Sequence, residues 1–272
     1  MPDTATDDLG PVLRDLAYGR LAQTRAKLAN SPETREFLEL GLQLLRDDLI
    51  GHTGPDFETG IRSKLFESVS RERILQRAEE ADRDRPNPKV LTVNMFRYRW
   101  ERKDRYTEDL ISYLFRPAPQ GRHFAEMAAT THRLIPRASF AELVRTLADA
   151  EVRTVLEDPL VSLQSTVQSA MPNHPRVREF CQAHLDHLMP RWADLYVRIT
   201  DAYGLRLKAG FTWLDVALMF NAVVEGELTW SRVAARSVLS GGGTVVSTAI
   251  LAILSSVLDD APDFADCYAV AK

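Results

Sequence analysis

The chain is poor in cysteine and in long apolar segments, and both shortages exclude classes of protein. Among its 272 residues there are two cysteines, Cys181 and Cys267, and neither belongs to a Cys-x-x-Cys pair. A disulfide scaffold is therefore not expected, and a reducing cytoplasm is the natural location. The most apolar segment, residues 244–258, is about fifteen residues long and too short to span a bilayer. The first ten residues are acidic and polar, so we expect no secretion signal and a soluble protein without a membrane partner.

The sequence also lacks the motifs of common catalytic sites. Gly241-Gly242-Gly243 is not followed by Lys-Ser or Lys-Thr, and neither Gly-x-Ser-x-Gly nor His-Glu-x-x-His occurs. Cys181, His184 and His187 have the spacing of zinc ligands on one side of a helix. No further ligand lies at metal spacing nearby, so a structural role is favoured for them. We therefore predict no enzyme, no cofactor and no metal site, and an all-α enzyme stays as an alternative.

What the sequence does have is an ordinary globular composition with an uneven distribution of charge. Hydrophobic residues make up 45% and charged residues 26%, which excludes disorder of the whole chain, and the net charge of −4 excludes a uniformly basic nucleic-acid coat protein. The stretch 83–105 nevertheless has eight basic and three acidic residues, a balance of 8 − 3 = +5 that leaves −9 for the rest. Aromatic residues are interleaved with the basic ones, which suits a DNA groove, although a solvated charged face is an equally good interpretation. The basic residues are Arg83, Arg85, Lys89, Arg97, Arg99, Arg102, Lys103 and Arg105.

Nearly every segment has the spacing of an amphipathic helix, and no convincing strand alternation is present. Ser31-Pro32 predicts a helix start, with Phe37, Leu40, Leu44 and Leu45 on one apolar side. We predict an all-α fold with a small helix-turn-helix-like N-terminal bundle in 1–116 and a larger C-terminal bundle in 117–272. The N-terminal bundle includes an extra first helix and an insertion near 52–67. The predicted helices cover about 8–28, 31–50, 68–81, 92–100, 103–115, 122–134, 138–157, 160–170, 175–203, 212–238 and 244–259.

The order of the helices and the residues of the short basic helix resemble the DNA-binding domain of the TetR family of transcriptional regulators. The matching residues are Asn94-Met95-Phe96-Arg97-Tyr98-Arg99-Trp100, then Glu101-Arg102-Lys103-Asp104 and Asp109-Leu110. The resemblance implies that Phe96 and Trp100 anchor the helix in the core and that Lys103 contacts a phosphate. It also implies that the DNA contacts come from Thr92, Val93, Asn94 and Tyr98 in the major groove, and from Arg97 and Arg99 on bases or phosphates.

The C-terminal half is similar to the same family in its last two helices. Residues 210–226 are similar to the penultimate helix and 245–258 to the last one, and in the family these helices pair with their symmetry mates in a dimer. The last helix has small residues on one side and bulky residues on the other, so it needs two partners. A buried helix in a monomeric core is the alternative. The resemblance implies a homodimer whose interface includes Phe220, Val223, Val246, Ile250, Ile253 and Leu254.

The helices between residues 122 and 203 contain aromatic and methionine side chains that suit a small-molecule pocket. These residues are Met127, Phe140, Met171, Phe180, Met189, Trp192 and Tyr196, and for each of them simple core packing is the alternative. We predict a dimeric, sequence-specific regulator that binds a near-palindromic operator in double-stranded DNA and responds to a small-molecule effector. The alternative is a helical dimer of the same fold that binds a ligand or a protein without DNA. It is motivated by the turn at 82–91, which is longer than the 3–4 residues of a compact helix-turn-helix.

Overall fold

The computed structural model of the chain describes residues 7–50, 65–67, 69–83, 91–234, 238–239 and 243–259. These ranges contain helices and turns but no β-strand, only two isolated bridges, so the prediction of an all-α fold is confirmed. Residues 184–188 form a π turn between α9 and α10. The helices are α1 Ala22–Ala29, α2 Pro32–Leu49, α3 Arg71–Asp82, α4 Val93–Arg99, α5 Lys103–Leu114, α6 Pro117–Leu134, α7 Phe140–Glu157, α8 Pro159–Ala170, α9 Pro175–Ala183, α10 Met189–Ala202, α11 Trp213–Ala234 and α12 Val245–Val257.

The chain forms two compact units. Unit 1 contains residues 1–118 together with 166–178, and unit 2 contains 119–165 together with 179–272. The first boundary falls two residues after the predicted one at 116. The return of 166–178 to unit 1 was not anticipated, because the sequence places this segment among the C-terminal helices. The predicted insertion near 52–67 lies almost entirely outside the described residues.

Local side-chain chemistry explains where several helices begin. Ser31 accepts a hydrogen bond from the backbone N–H of Thr34, and Pro32 occupies the first helical position, where its missing N–H has no cost. Ser139 and Glu142 form a reciprocal capping box at the start of α7. Thr244 caps α12 by accepting from the N–H of Ser247. The helix starts that depend on a capping hydroxyl are therefore encoded within four residues of the chain.

The predicted helix over 8–28 is wrong for its first two thirds. Residues 10–20 form turns, and α1 begins only at Ala22. Gly10-Pro11 interrupts any helix there, and Ala17 and Gly19 have φ values of 47° and 81°, in the left-handed region. Of the three leucines whose helical spacing led to that prediction, Leu13 and Leu16 are buried, but Leu21 is 80% exposed. Apolar spacing thus identified residues that pack against the core without identifying the backbone that carries them.

The core of unit 1 is built on aromatic rings from three helices. Phe37 of α2 lies 5.4 Å from the Phe96 ring of α4, and the Trp100 ring lies 4.9 Å from that of Tyr106 in α5. The Tyr106 hydroxyl donates a 2.7 Å hydrogen bond to the carbonyl oxygen of Phe37. This approach requires a glycine at position 41, because a Cβ there would overlap the Tyr106 hydroxyl oxygen.

Segment 166–178 is held within unit 1 by an ion-pair network. Arg176 donates to Glu108 over 2.7 Å and to the hydroxyl of Ser112 over 2.6 Å, and it also pairs with Asp15. His174 lies 3.2 Å from the other Glu108 oxygen. Because one guanidinium satisfies acceptors from the N-terminal turns and from α5, it fixes the start of α9 on unit 1.

Unit 2 is a bundle whose apolar core is shared by α6, α7, α10, α11 and α12. The helix predicted over 175–203 is divided into α9 and α10 by the π turn, which adds one residue to a turn of helix and changes the facing of the side chains after it. Among the described residues, no helix has the length and hydropathy needed to cross a membrane.

Candidate functional site

Helix α4 has two sides of opposite character. Phe96 and Trp100 are 4% and 0% exposed, so the predicted core anchors of this helix are confirmed. The Trp100 indole N–H donates a 2.9 Å hydrogen bond to Asp109 of α5, and the second oxygen of Asp109 accepts from the backbone N–H of Asp15. Burial raises the pKa of Asp109 to about 6, against the opposing effect of these two hydrogen bonds. A buried carboxylate therefore ties the end of α4 to α5 and to the N-terminal turns.

Arg99 does not lie on the outer side of α4, and its predicted role in contacting DNA is wrong. Its guanidinium is buried and donates to Thr34 Oγ1 over 2.8 Å, to Ser31 Oγ over 3.0 Å and to Glu33 over 3.1 Å. The reason is helical spacing, because Arg99 follows Phe96 by three positions and shares its inward side. Burial lowers the pKa of Arg99, and the Glu33 carboxylate acts in the opposite direction. Arg99 thus fastens α4 to the N-terminus of α2.

The other predicted DNA contacts of α4 lie on its exposed side. Thr92 caps the helix by accepting from the N–H of Met95, and it is followed by the exposed Val93 and Asn94. Arg97 is exposed, and in the part of the chain that the structure describes its guanidinium takes part in no ion pair. Tyr98 is 46% exposed. The structure therefore brings together Thr92, Val93, Asn94, Arg97 and Tyr98 on one surface, which we call the α4 outer face.

The remaining cations of the basic stretch are mostly paired. Arg102 forms a two-point ion pair with Asp104, and Arg105 lies 3.8 Å from Glu101. Lys103 is exposed at the first position of α5 and donates to the carbonyl oxygen of Glu67 over 2.9 Å. The predicted basic residues Arg85 and Lys89 lie outside the described residues. The local charge of +5 therefore overstates the free positive charge next to α4.

The sequence interpretation missed Arg20, which extends the α4 outer face by stacking on Tyr98, and also the stacking of Arg105 on Tyr18. The Arg20 guanidinium lies 4.2 Å from the centre of the Tyr98 ring, and Arg105 lies 4.3 Å from the ring of Tyr18, which is 66% exposed. Stacking on an aromatic ring orients a guanidinium and leaves its N–H donors available to another acceptor. No signal in the sequence could have joined Arg20 to Tyr98, because 78 positions separate them.

A second candidate site is an apolar cavity of about 120 Å³ inside unit 2. Five of the seven predicted pocket residues line it: Met127, Phe140, Met189, Trp192 and Tyr196. Phe180 packs against His184, and Met171 belongs to unit 1, so neither lines the cavity. The sequence interpretation also missed the aromatic lining from α11, which includes Trp213 and Phe220.

The polar groups at the cavity are few. Glu151 of α7 lines it and lies 2.6 Å from the Nε2 atom of His123. Burial alone would lower the pKa of His123, but the hydrogen bond to Glu151 and the nearby charges of Glu126 and Asp158 raise it above its ordinary value. The Tyr196 hydroxyl is also part of this environment, and burial raises the pKa of Tyr196, so the phenol stays protonated.

The π turn lies next to the cavity. His184 at its start is hydrogen-bonded to Asn221, which lines the cavity, and burial lowers the pKa of His184. The zinc interpretation of Cys181, His184 and His187 finds no support in geometry. Across the described ranges, no three His, Cys, Asp or Glu side chains come together as metal ligands.

The predicted dimer interface requires correction, because most of its residues lie in the apolar core of unit 2 within the single chain. Phe220, Val246, Ile250 and Leu254 are buried in the unit 2 cluster, and Val223 and Ile253 pack against it. The bulky side of α12 thus faces α7 and α11 within the chain. The exposed sides of α11 and α12 instead carry Leu214, Leu218, Ala222, Ala252 and Ser256.

Comparison of the chain with protein-family models, with curated proteins and with solved structures finds no match. The similarity to the TetR family therefore depends on the residues quoted above and on their arrangement around α4.

Proposed function

We propose that the protein is a ligand-controlled transcriptional regulator that binds double-stranded DNA as a homodimer, in the manner that its resemblance to the TetR family implies. The observation that carries the proposal is the two-sided character of α4. One side is fixed to α2 and α5 by Phe96, Arg99 and Trp100, and the α4 outer face is free of core contacts. A short helix held rigidly from behind is what a major-groove reader requires.

The chemistry of the α4 outer face supports this proposal. Asn94 can pair with an adenine edge, and Arg97 with a guanine edge or a phosphate. Val93 offers an apolar contact for a thymine methyl group. Arg20, oriented on the Tyr98 ring, adds a second cation at the same surface. These groups combine base readout with backbone attraction, and both are needed for specific binding.

A homodimer is part of the proposal, with its interface moved to the exposed sides of α11 and α12. Leu214 and Leu218 are about 40% exposed, and small residues on α12 allow close approach of a partner helix. Two-fold symmetry would place two copies of α4 on successive major-groove segments. The operator is then near-palindromic, with half-sites one helical turn or more apart.

The test is selection of bound sequences from random duplexes, followed by affinity measurements on the selected site. Arg97→Ala should weaken binding about tenfold to a hundredfold, because a base or phosphate contact of an arginine contributes about 1–3 kcal/mol. Arg153→Ala, which removes the same charge from an exposed position of unit 2, is the matched control and should leave binding nearly unchanged. Equal affinities for the parent and for Arg97→Ala would refute the assignment.

A second candidate function is a helical dimer that binds a ligand or a protein without DNA. The observation that favours it is the ten-residue connection 83–92 between α3 and α4. Salt discriminates the two, because phosphate contacts require duplex affinity to fall steeply between low and moderate salt. No measurable duplex binding at low salt would favour this second candidate.

A further inference from the structure

The cavity of unit 2 has a mostly apolar lining that includes an acidic side chain. Its wall is aromatic and aliphatic, and among the residues that the structure describes Glu151 is the one charged side chain that lines it. Within the described ranges, no lysine or arginine contributes to the lining. A carboxylate or phosphate ligand would therefore lose its water without gaining a cation, and burying an unpaired charge is costly. The cavity selects against anions.

The hydroxyl groups of the lining add to this preference. Thr131 donates its proton to the carbonyl oxygen of Met127, and Thr200 donates to that of Tyr196, both over 2.9 Å. With their protons engaged, these two oxygens can only accept a further hydrogen bond. Together with the Glu151 carboxylate they favour a ligand that donates hydrogen bonds.

The aromatic wall favours a positive charge in the same place. The Tyr196 ring lies 5.3 Å from Phe220, 6.1 Å from Trp192 and 6.4 Å from Trp213. Tryptophan and tyrosine faces attract cations through their quadrupoles, and this attraction is strongest where water is scarce. The His123 side chain that now contacts Glu151 keeps 24% exposure, so it would stay in contact with water if another donor took its place at the carboxylate.

From these observations we propose that the cavity binds a small apolar amine in its protonated form. The ring or alkyl part lies among the aromatic residues, and the ammonium group pairs with Glu151. The size of the cavity limits the apolar part to one ring, since a cavity of roughly 150 Å³ accommodates benzene. Such an amine would be the effector of the proposed regulator. Its role as an effector rests on the proposed function, whereas its binding to the cavity does not.

The experiment titrates the full-length protein with benzylamine, toluene and benzoate at neutral pH. The signal is tryptophan fluorescence, to which Trp192 and Trp213 of the cavity lining contribute, and calorimetry is the check. Benzylamine should bind at least about tenfold more tightly than toluene, because a partly buried ion pair adds on the order of one factor of ten. Benzoate should not bind detectably. Equal affinity for toluene and benzylamine, tighter binding of benzoate, or no binding of any probe would each overturn the proposal.

Variants locate the ammonium group. Glu151→Gln should lower benzylamine affinity by about tenfold or more while toluene affinity changes by less than about threefold, which shows that the cavity is intact. Glu157→Gln removes an exposed acid from the same helix outside the cavity lining and is the matched control, with unchanged affinity for both probes. Benzylamine binding that survives Glu151→Gln would place the cation elsewhere and refute the assignment.

A separate measurement distinguishes failure of this inference from failure of the proposed function. The titrations need no DNA, so their outcome does not depend on whether the protein is a regulator. If benzylamine binds through Glu151 but leaves duplex affinity unchanged, the ligand class stands and the regulatory function fails. If the protein binds a duplex but does not bind benzylamine, the proposed DNA binding stands and the ligand class fails.

Discussion

Arg99 and Arg97 are two positions apart on the same short helix, yet we expect their substitutions to affect different properties. Arg99→Ala removes a buried guanidinium that contacts Ser31, Glu33 and Thr34 at the start of α2. A cation there opposes the dipole of α2, so the contacts with Glu33 and the two hydroxyl oxygens are what make the position favourable. We therefore expect Arg99→Ala to lower the stability of unit 1.

The magnitude follows from the burial of each partner. Removing one member of a fully buried ion pair costs about 3–5 kcal/mol. The Glu33 side chain keeps 34% exposure and regains water when Arg99 is lost, so we expect a lower cost of about 2–3 kcal/mol in the free energy of unfolding. Arg97→Ala touches no core contact and should change that free energy by less than about 0.5 kcal/mol.

Urea unfolding followed by circular dichroism measures both variants against the parent, and duplex binding is measured for all three. Arg97→Ala should be as stable as the parent and bind DNA poorly. Arg99→Lys is informative as a third variant, because an ammonium group cannot supply the forked donors of a guanidinium and should recover only part of the stability. Equal stability of Arg99→Ala and Arg97→Ala would refute the structural assignment of Arg99.

Three further predictions test the structure away from this pair. Gly41→Ala should destabilise the protein by about 1–3 kcal/mol in urea unfolding, because the new methyl group overlaps the hydroxyl of the fully buried Tyr106. The raised pKa of Asp109, about 6, means that the folded protein holds this proton more tightly than the unfolded chain. Stability from this group is present at low pH and lost as pH rises from about 4 to 6. Asp109→Asn has no such loss, so its free energy of unfolding should rise relative to that of the parent by on the order of 2–3 kcal/mol over that interval. Ser139→Ala breaks the capping box with Glu142 and should cost about 1 kcal/mol in thermal unfolding, with no change in cavity binding.

The helices could be predicted from the sequence wherever their signals were local. Ser31-Pro32 and Thr244 start helices through hydroxyl groups that bond to N–H groups three residues away. Apolar spacing then identified the buried side, including Phe37 and Phe96. The turns at 10–20 were not predicted, because leucines with helical spacing are carried there by a backbone that contains left-handed residues.

The candidate sites were predictable only in part, because their geometry depends on residues far apart in the chain. Position 99 carries the residue type of a DNA contact, and only the packing of α4 on α2 reveals that its guanidinium has acceptors inside the protein. The bulky side of α12 similarly fits either a dimer or a protomer core, and the choice depends on where α7 lies. Pocket residues were easier, and five of the seven predicted side chains line the cavity, because aromatic and methionine side chains at helical spacing tend to lie on the buried side of a bundle.

The position of α4 depends on contacts outside the helix itself. A seven-residue helix has too few internal hydrogen bonds to be stable alone, so its position depends on its supports. One of these is Asp109, which accepts from Trp100 and from the N–H of Asp15, and the Asp15 carboxylate in turn pairs with Arg176 of α9. All four of these residues belong to unit 1, so the support of α4 is built within that unit, and a change at Arg176 would reach the helix through Asp15 and Asp109.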